Sequence, residues 1–229
     1  MEYIGTLFLL FLVYSFIGWT IEVVGELIKH KKFVNRGFLI GPYCPIYGFG
    51  AIAITLNLTR YYNNLLVLFT MAILICGLLE YFTSFIMEKL FHARWWDYSN
   101  MKYNINGRIC LETLVPFGIL GVLIIQVLNP FFIHILNSIP DFITIVLAVL
   151  FLIDNIISFK IIFNLKNVIM KLKNGEEDIS EPKDNTEEIT KKVREILKSK
   201  SLLHRRLVNA FPKLKSIVER KKKEHGKQQ

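Results

Sequence analysis

Cysteine is scarce in this chain of 229 residues, and its three copies, Cys44, Cys76 and Cys110, lie within or beside apolar runs. None has CxxC spacing, which excludes a disulfide framework and a zinc knuckle and leaves them as small apolar residues. The histidines are equally uninformative: His30, His92, His134, His204 and His225 are dispersed, and none pairs with another at metal-ligand spacing. No metal or other cofactor is expected. The sequence lacks GxxxxGK[ST], HExxH and GxSxG, so it does not hydrolyse nucleotides through a phosphate loop and shows no catalytic motif. An enzyme built on it would have to rest on Glu, Asp and Tyr within apolar surroundings. The opening stretch, MEYIGTLFLLFLVYSFIGW, has no basic n-region and no small-residue cleavage site, so it reads as a retained span rather than a signal peptide.

What is abundant is apolar: 52% of residues are hydrophobic and 13% aromatic, with positive mean hydropathy. That composition belongs to the membrane class. A hydrocarbon core of about 30 Å needs about 20 apolar residues in a helix, and five segments approach that length. They are Tyr3–Leu27, Ile46–Tyr62, Leu65–Met87, Leu114–Ile135 and Phe142–Phe163. The second is the shortest, weakened at its end by Asn57 and Arg60. The fourth carries Pro116 near its start and Pro130 near its end, where a break in the last turn is expected. The expected fold is an all-α polytopic bundle of about five transmembrane helices over residues 1–165. A basic, partly helical cytoplasmic tail follows over 166–229.

Charge sets an expected orientation. Residues 1–163 hold 10 Lys/Arg and 9 Asp/Glu, whereas residues 164–229 hold 18 and 10. The connection after the first span carries Lys29, Lys31, Lys32 and Arg36, and that after the third carries Lys89, Arg94, Lys102 and Arg108. The alternate connections hold only Arg60. Positive-inside logic places both basic loops and the tail in the cytoplasm and the N-terminus outside. A basic tail directly after a span suits anionic lipid or a cytoplasmic partner, and nothing in it resembles a nucleic-acid recognition module. Within it, Asn185 and Glu188 read as a helix start. Apolar positions from Ile189 to Ile217 then suggest an amphipathic or coiled helix, which Pro212 ends or kinks.

The two cytoplasmic hairpins resemble each other. Glu22 and Glu26 lead into FVNRGFLIGPYCPIYGFG, and Glu80 and Glu88 lead into YNINGRICLETLVPFG. Pro45 and Pro116 each lie ten residues beyond an Asn, at positions that suit the opening turn of a helix. Transporters are often built from such repeats, although any pair of cytoplasmic hairpins collects Glu, Arg, Gly and Pro at its boundaries. Glu22, Glu80 and Asp154 lie roughly 9–14 Å inside the ends of their spans at 1.5 Å per residue. At about 2.5–3.5 kcal/mol each on insertion scales, they are expected to face the bundle and find partners. Arg36 and Arg108, each beside a glycine, are the expected counter-ions. Such pairs serve either as structural pins between hairpins, as the lining of a polar cavity open to the cytoplasm, or as a proton relay. The second loop, FHARWWDYSNMKYNINGRICLE, adds Trp95, Trp96, Asp97, Asn106 and Glu112 to this candidate face. Its aromatics suit the membrane interface, whereas its short polar groups suit bonding to backbone, as in a packed, partly re-entrant loop.

The stretches FIGWTIEV, NRGFLIGPYCPIYGFG, EYFTSFIMEKLFHARWWDYS and NINGRICLE resemble the CmpB-like ABC-transporter type IV permeases of bacteria over roughly residues 10–120. The resemblance implies a bacterial inner-membrane protein with a transport role, and it brings no catalytic residues. A permease of this size without an ATPase motif would need a homodimer and a separate ATPase subunit. The other reading is a non-transport membrane protein, a lipid-acting enzyme or an envelope-stress accessory factor, with the same polar face.

Overall fold

The computed structural model describes residues 2–31, 33–35, 37–91, 93–173 and 215–216. The described chain is mainly helical. Helix α1 spans Glu2–His30, α2 Pro45–Leu58 and α3 Leu65–Phe91. Helix α4 (Leu111–Leu123) runs through a π turn (Ile124–Leu128) into α5 (Asn129–Leu136), and α6 covers Asp141–Lys173. Among the described residues, four helical stretches are long and apolar enough to cross a membrane: Tyr3–Lys29, Leu65–Phe91, Leu111–Leu136 and Asp141–Phe163. The expected second span is different. Its helix has 14 residues, about 21 Å at 1.5 Å per residue, and ends in a 3₁₀ turn, Thr59–Tyr61.

Residues 1–83 and 98–155 form one compact unit, and residues 84–97 with the chain from 156 onward form a second. In the first unit α2 lies along the N-terminal half of α1. Gly18 and Gly48 permit this: a Cβ on Gly18 would strike the Tyr47 ring, and one on Gly48 would strike Ser15 Oγ and Phe11. Without a hydrophobic force between helices in lipid, such close backbone approach is a main source of association. The same device joins α3 to α4, where Gly118 meets Phe69 and Gly121 meets Ala72. The core of this unit combines Leu9, Leu10 and Tyr14 of α1 with Ala51, Ile54 and Leu58 of α2, Leu68 and Ala72 of α3, and Ile124, Ile125 and Leu136. A polar thread runs through it. The Tyr14 hydroxyl donates to Asn129 Oδ1 at 2.6 Å, Asn129 Nδ2 donates to Thr55 Oγ1 at 2.9 Å, and Thr55 donates to the Ala51 carbonyl at 2.7 Å. Many large apolar side chains point outward, Leu66, Leu78, Ile119, Phe142 and Leu152 among them, as a lipid-facing surface requires.

The two prolines of the fourth span act differently from the expectation. Pro45 does open its helix, but Pro116 is the sixth residue of α4, inside it. Nor does Pro130 break the span. A proline ring collides with the carbonyl four residues back, here that of Gln126. The chain widens into the π turn just before it, and the Asn129 N–H reaches five residues back to the Ile124 carbonyl. The helix therefore continues to Leu136.

The connection from α1 to α2 accounts for the shortness of α2. Trp19 Nε1 donates to Asn35 Oδ1 at 2.7 Å, and the Cys44 amide donates to the Ser15 carbonyl at 2.9 Å. The described residues between 31 and 44 thus fold back along α1 from its end at His30 to Ser15, about 22 Å at 1.5 Å per residue. Helix α2 starts there, halfway down its neighbour. Loop and short helix together cover the length that one long helix would.

Between α3 and α4, strands β1 (Ala93–Arg94), β2 (Asn104–Ile105) and β3 (Ile109–Cys110) are two-residue pieces; β2 and β3 pair antiparallel. Asn106 and Gly107 in the turn between them, and Tyr103 just before β2, have positive φ. Asn104 organises it, donating to the Met101 carbonyl at 2.7 Å and accepting from the Gly107 amide at 2.9 Å. In the second unit β1 pairs with Lys215–Ser216 (β4). The expected tail helix from Ile189, with its start at Asn185 and Glu188 and its break at Pro212, lies outside the described residues.

Candidate functional site

Three of the expected intramembrane carboxylates lie in the first unit, and each has an identifiable partner. Glu22, half-buried on α1, accepts from the Tyr47 hydroxyl at 2.8 Å. Glu80, 6% exposed on α3, accepts from the Tyr98 hydroxyl at 3.1 Å through Oε1. Asp154, 9% exposed on α6, accepts from the backbone amides of Ile40 at 3.0 Å and Gly41 at 2.7 Å. The Tyr43 hydroxyl bonds the same Asp154 carboxylate.

Glu22 and Glu80 are near enough to repel each other, and Tyr98 feels both. Two carboxylates and two phenols therefore converge, from α1, the start of α2, α3 and the loop after α3. The ring of Phe117 meets Tyr47 edge-on at 6.3 Å. Burial first, then Glu80 as neighbour and acceptor, pushes the Tyr98 phenol above its ordinary range, so it stays a donor at neutral pH. Glu80 Oε2 has no hydrogen-bond partner among the described residues. Buried polar atoms are nearly always paired, which sets this oxygen apart.

Arginine counter-ions were the expected partners; to them the described residues add hydrogen bonds from tyrosines and backbone amides. Arg36 lies outside the described residues. Arg108 is 6% exposed, with its guanidinium 5.8 Å from the Tyr81 ring centroid. Asn106, exposed, donates to the Tyr81 hydroxyl at 3.0 Å. Glu26 is half-buried one turn beyond Glu22, and Glu112 is exposed in the first turn of α4.

The remaining candidates belong to the second unit. Arg94, 7% exposed, pairs with Glu88 at 2.9 Å and Asp97 at 3.4 Å. Trp95 is 4% exposed and packs edge-on against Phe91 at 6.2 Å, and Trp96 is half-buried. Trp95 is thus an interior residue rather than an interfacial float; Tyr103, 79% exposed, is the aromatic of this loop that points outward.

Tyr43, Tyr47, Tyr98 and Arg94 were missed as partners. A tyrosine within an apolar run, as in CPIYGFG, was the available signal, because a buried phenol needs an acceptor. For Arg94 the signal was its spacing from Glu88 and Asp97, legible only once the helix end at Phe91 is known. Among the described residues no group of three His, Cys, Asp or Glu is placed to hold a metal ion. None of the three cysteines is joined in a disulfide among the described residues.

No curated protein and no solved structure matches the chain. Residues 9–159 match the family described as "Putative ABC-transporter type IV", a stretch that includes all four of the site's carboxylate and phenol groups. That match covers well over half of the sequence, and the chain, a multi-pass membrane protein by its apolar helices, belongs to this family.

Proposed function

We propose that the chain is the membrane subunit of a transporter, a permease-like protein working with a separate ATPase and as a homodimer. The observation that carries this reading is the interrupted second crossing: loop 31–44 followed by the half-length α2, with Glu22, Tyr47, Glu80 and Tyr98 near the interruption. Non-helical backbone at membrane depth is tolerated where protein covers it, and transporters place substrate sites at such discontinuities. Intramembrane carboxylates are costly and accordingly tend to be functional. Family membership supports the same reading, and since the sequence has no phosphate loop, the reading calls for a separate ATPase to hydrolyse ATP. The bilayer is the bacterial inner membrane, with the N-terminus outside and the tail in the cytoplasm, as the basic loops indicate.

Affinity purification of the full chain in mild detergent, followed by mass spectrometry, tests the assignment. An ATPase subunit should co-purify, and the complex should hydrolyse ATP. Repeated recovery of the chain without an ATPase, from cells that express it at native level, overturns the reading in favour of a non-transport membrane protein.

A further inference from the structure

We propose that Glu80, with Glu22 beside it and the phenols of Tyr47 and Tyr98 around it, binds a small organic ammonium ion. This makes the cargo a cationic amine, a step that rests on the permease reading. Glu80 Oε2 is buried without a hydrogen-bond partner among the described residues, although Oε1 of the same carboxylate takes the Tyr98 hydroxyl. Both phenols spend their only proton on a carboxylate, Tyr47 on Glu22 and Tyr98 on Glu80. Their oxygen lone pairs and Glu80 Oε2 are acceptors. The cluster is rich in acceptors, and Glu22 acts on Glu80 as a second carboxylate. A positively charged N–H donor satisfies all of these groups together.

The aromatic surroundings select among cations. Tyr47 and Tyr98 contribute phenols to the cluster, and Phe117 stands against Tyr47. Aromatic faces attract organic ammonium ions through their quadrupoles. A divalent metal is a poor fit, because among the described residues no three His, Cys, Asp or Glu come together, and such ions take several oxygen ligands.

The probe is methylammonium chloride, added to the purified full-length protein in detergent and compared with sodium chloride at equal ionic strength. Methylammonium should raise the unfolding temperature saturably, beyond the effect of sodium. Glu80→Gln should raise the half-saturating concentration at least tenfold and Tyr98→Phe several-fold. Asp141→Asn, at an exposed carboxylate, should leave it unchanged. If Glu80→Gln does not fold, labelling of the wild type by dicyclohexylcarbodiimide replaces it: methylammonium should slow labelling of the peptide carrying Glu80. Equal effects of sodium and methylammonium, saturation that survives Glu80→Gln, or labelling indifferent to methylammonium each overturn the proposal. Binding without ATPase recovery keeps the site and removes the permease, whereas ATPase recovery without binding keeps the permease and removes the amine.

Discussion

Asp154 does for Ile40 and Gly41 what a helix does for its own backbone: it accepts two amide protons at 3.0 and 2.7 Å in a place where water is scarce. Replacing it by Asn removes one acceptor oxygen and turns an N–H₂ group toward an N–H group. The expected cost is about 1–3 kcal/mol, the range for a buried group left unsatisfied. Thermal unfolding in detergent should show the loss. Cys44, 8% exposed at the end of the same loop, should react faster with N-ethylmaleimide in Asp154→Asn than in wild type. An unchanged Cys44 rate would mean that the carboxylate does not hold the loop. Tyr98 allows a pH prediction. Its folded pKa lies above the unfolded value of about 10, because of burial and Glu80. A raised pKa contributes stability that is complete below the unfolded value and is lost as pH climbs toward the folded one. The gap in unfolding temperature between wild type and Tyr98→Phe should therefore narrow as pH rises above about 10. A gap that widens above that pH contradicts the donor assignment.

At the scale of elements, the glycine contacts predict coupled substitutions. Gly121→Ala sets a methyl against the Ala72 Cβ, and overpacking of this kind costs about 1–3 kcal/mol. Ala72→Gly in the same chain should recover most of that loss, a departure from additivity expected of touching residues. Two independent losses that simply add would show that α3 and α4 do not meet there. The helices themselves were largely legible in the sequence: apolar length located α1, α3, α4–α5 and α6, since lipid demands such runs. Their ends were less so, because α6 continues past Phe163 as a helix of mixed polarity. The π turn escaped, as proline marks a disturbed turn without saying whether the helix breaks or widens. Glu22, Glu80 and Asp154 were recognisable as buried charges by their cost alone. Their tyrosine partners were not, since Tyr47 and Tyr98 read as ordinary apolar or interfacial aromatics until the fold brings them to the carboxylates.

For the whole molecule, the composite second crossing has a topological consequence. Loop 31–44 and α2 together return the chain to the side on which α1 began, so Tyr3 and Asn63 should share one side and Lys31 and Ser99 the other. Single cysteines at these exposed positions, in a cysteine-free background, report this through labelling by a membrane-impermeant maleimide. Labelling of positions 3 and 63 from opposite sides would rule out the crossing.

The same feature fixes an order of events during synthesis. Ile40 leaves the ribosome more than a hundred residues before Asp154, the separation being 114. A helix of 14 residues is shorter than the roughly 20 that hold a span in a bilayer independently. The second crossing is therefore unfinished until α6 arrives. A nascent chain stopped before residue 154 carries two amides with no acceptor in place, so completion of the last span is also the step that locks the second.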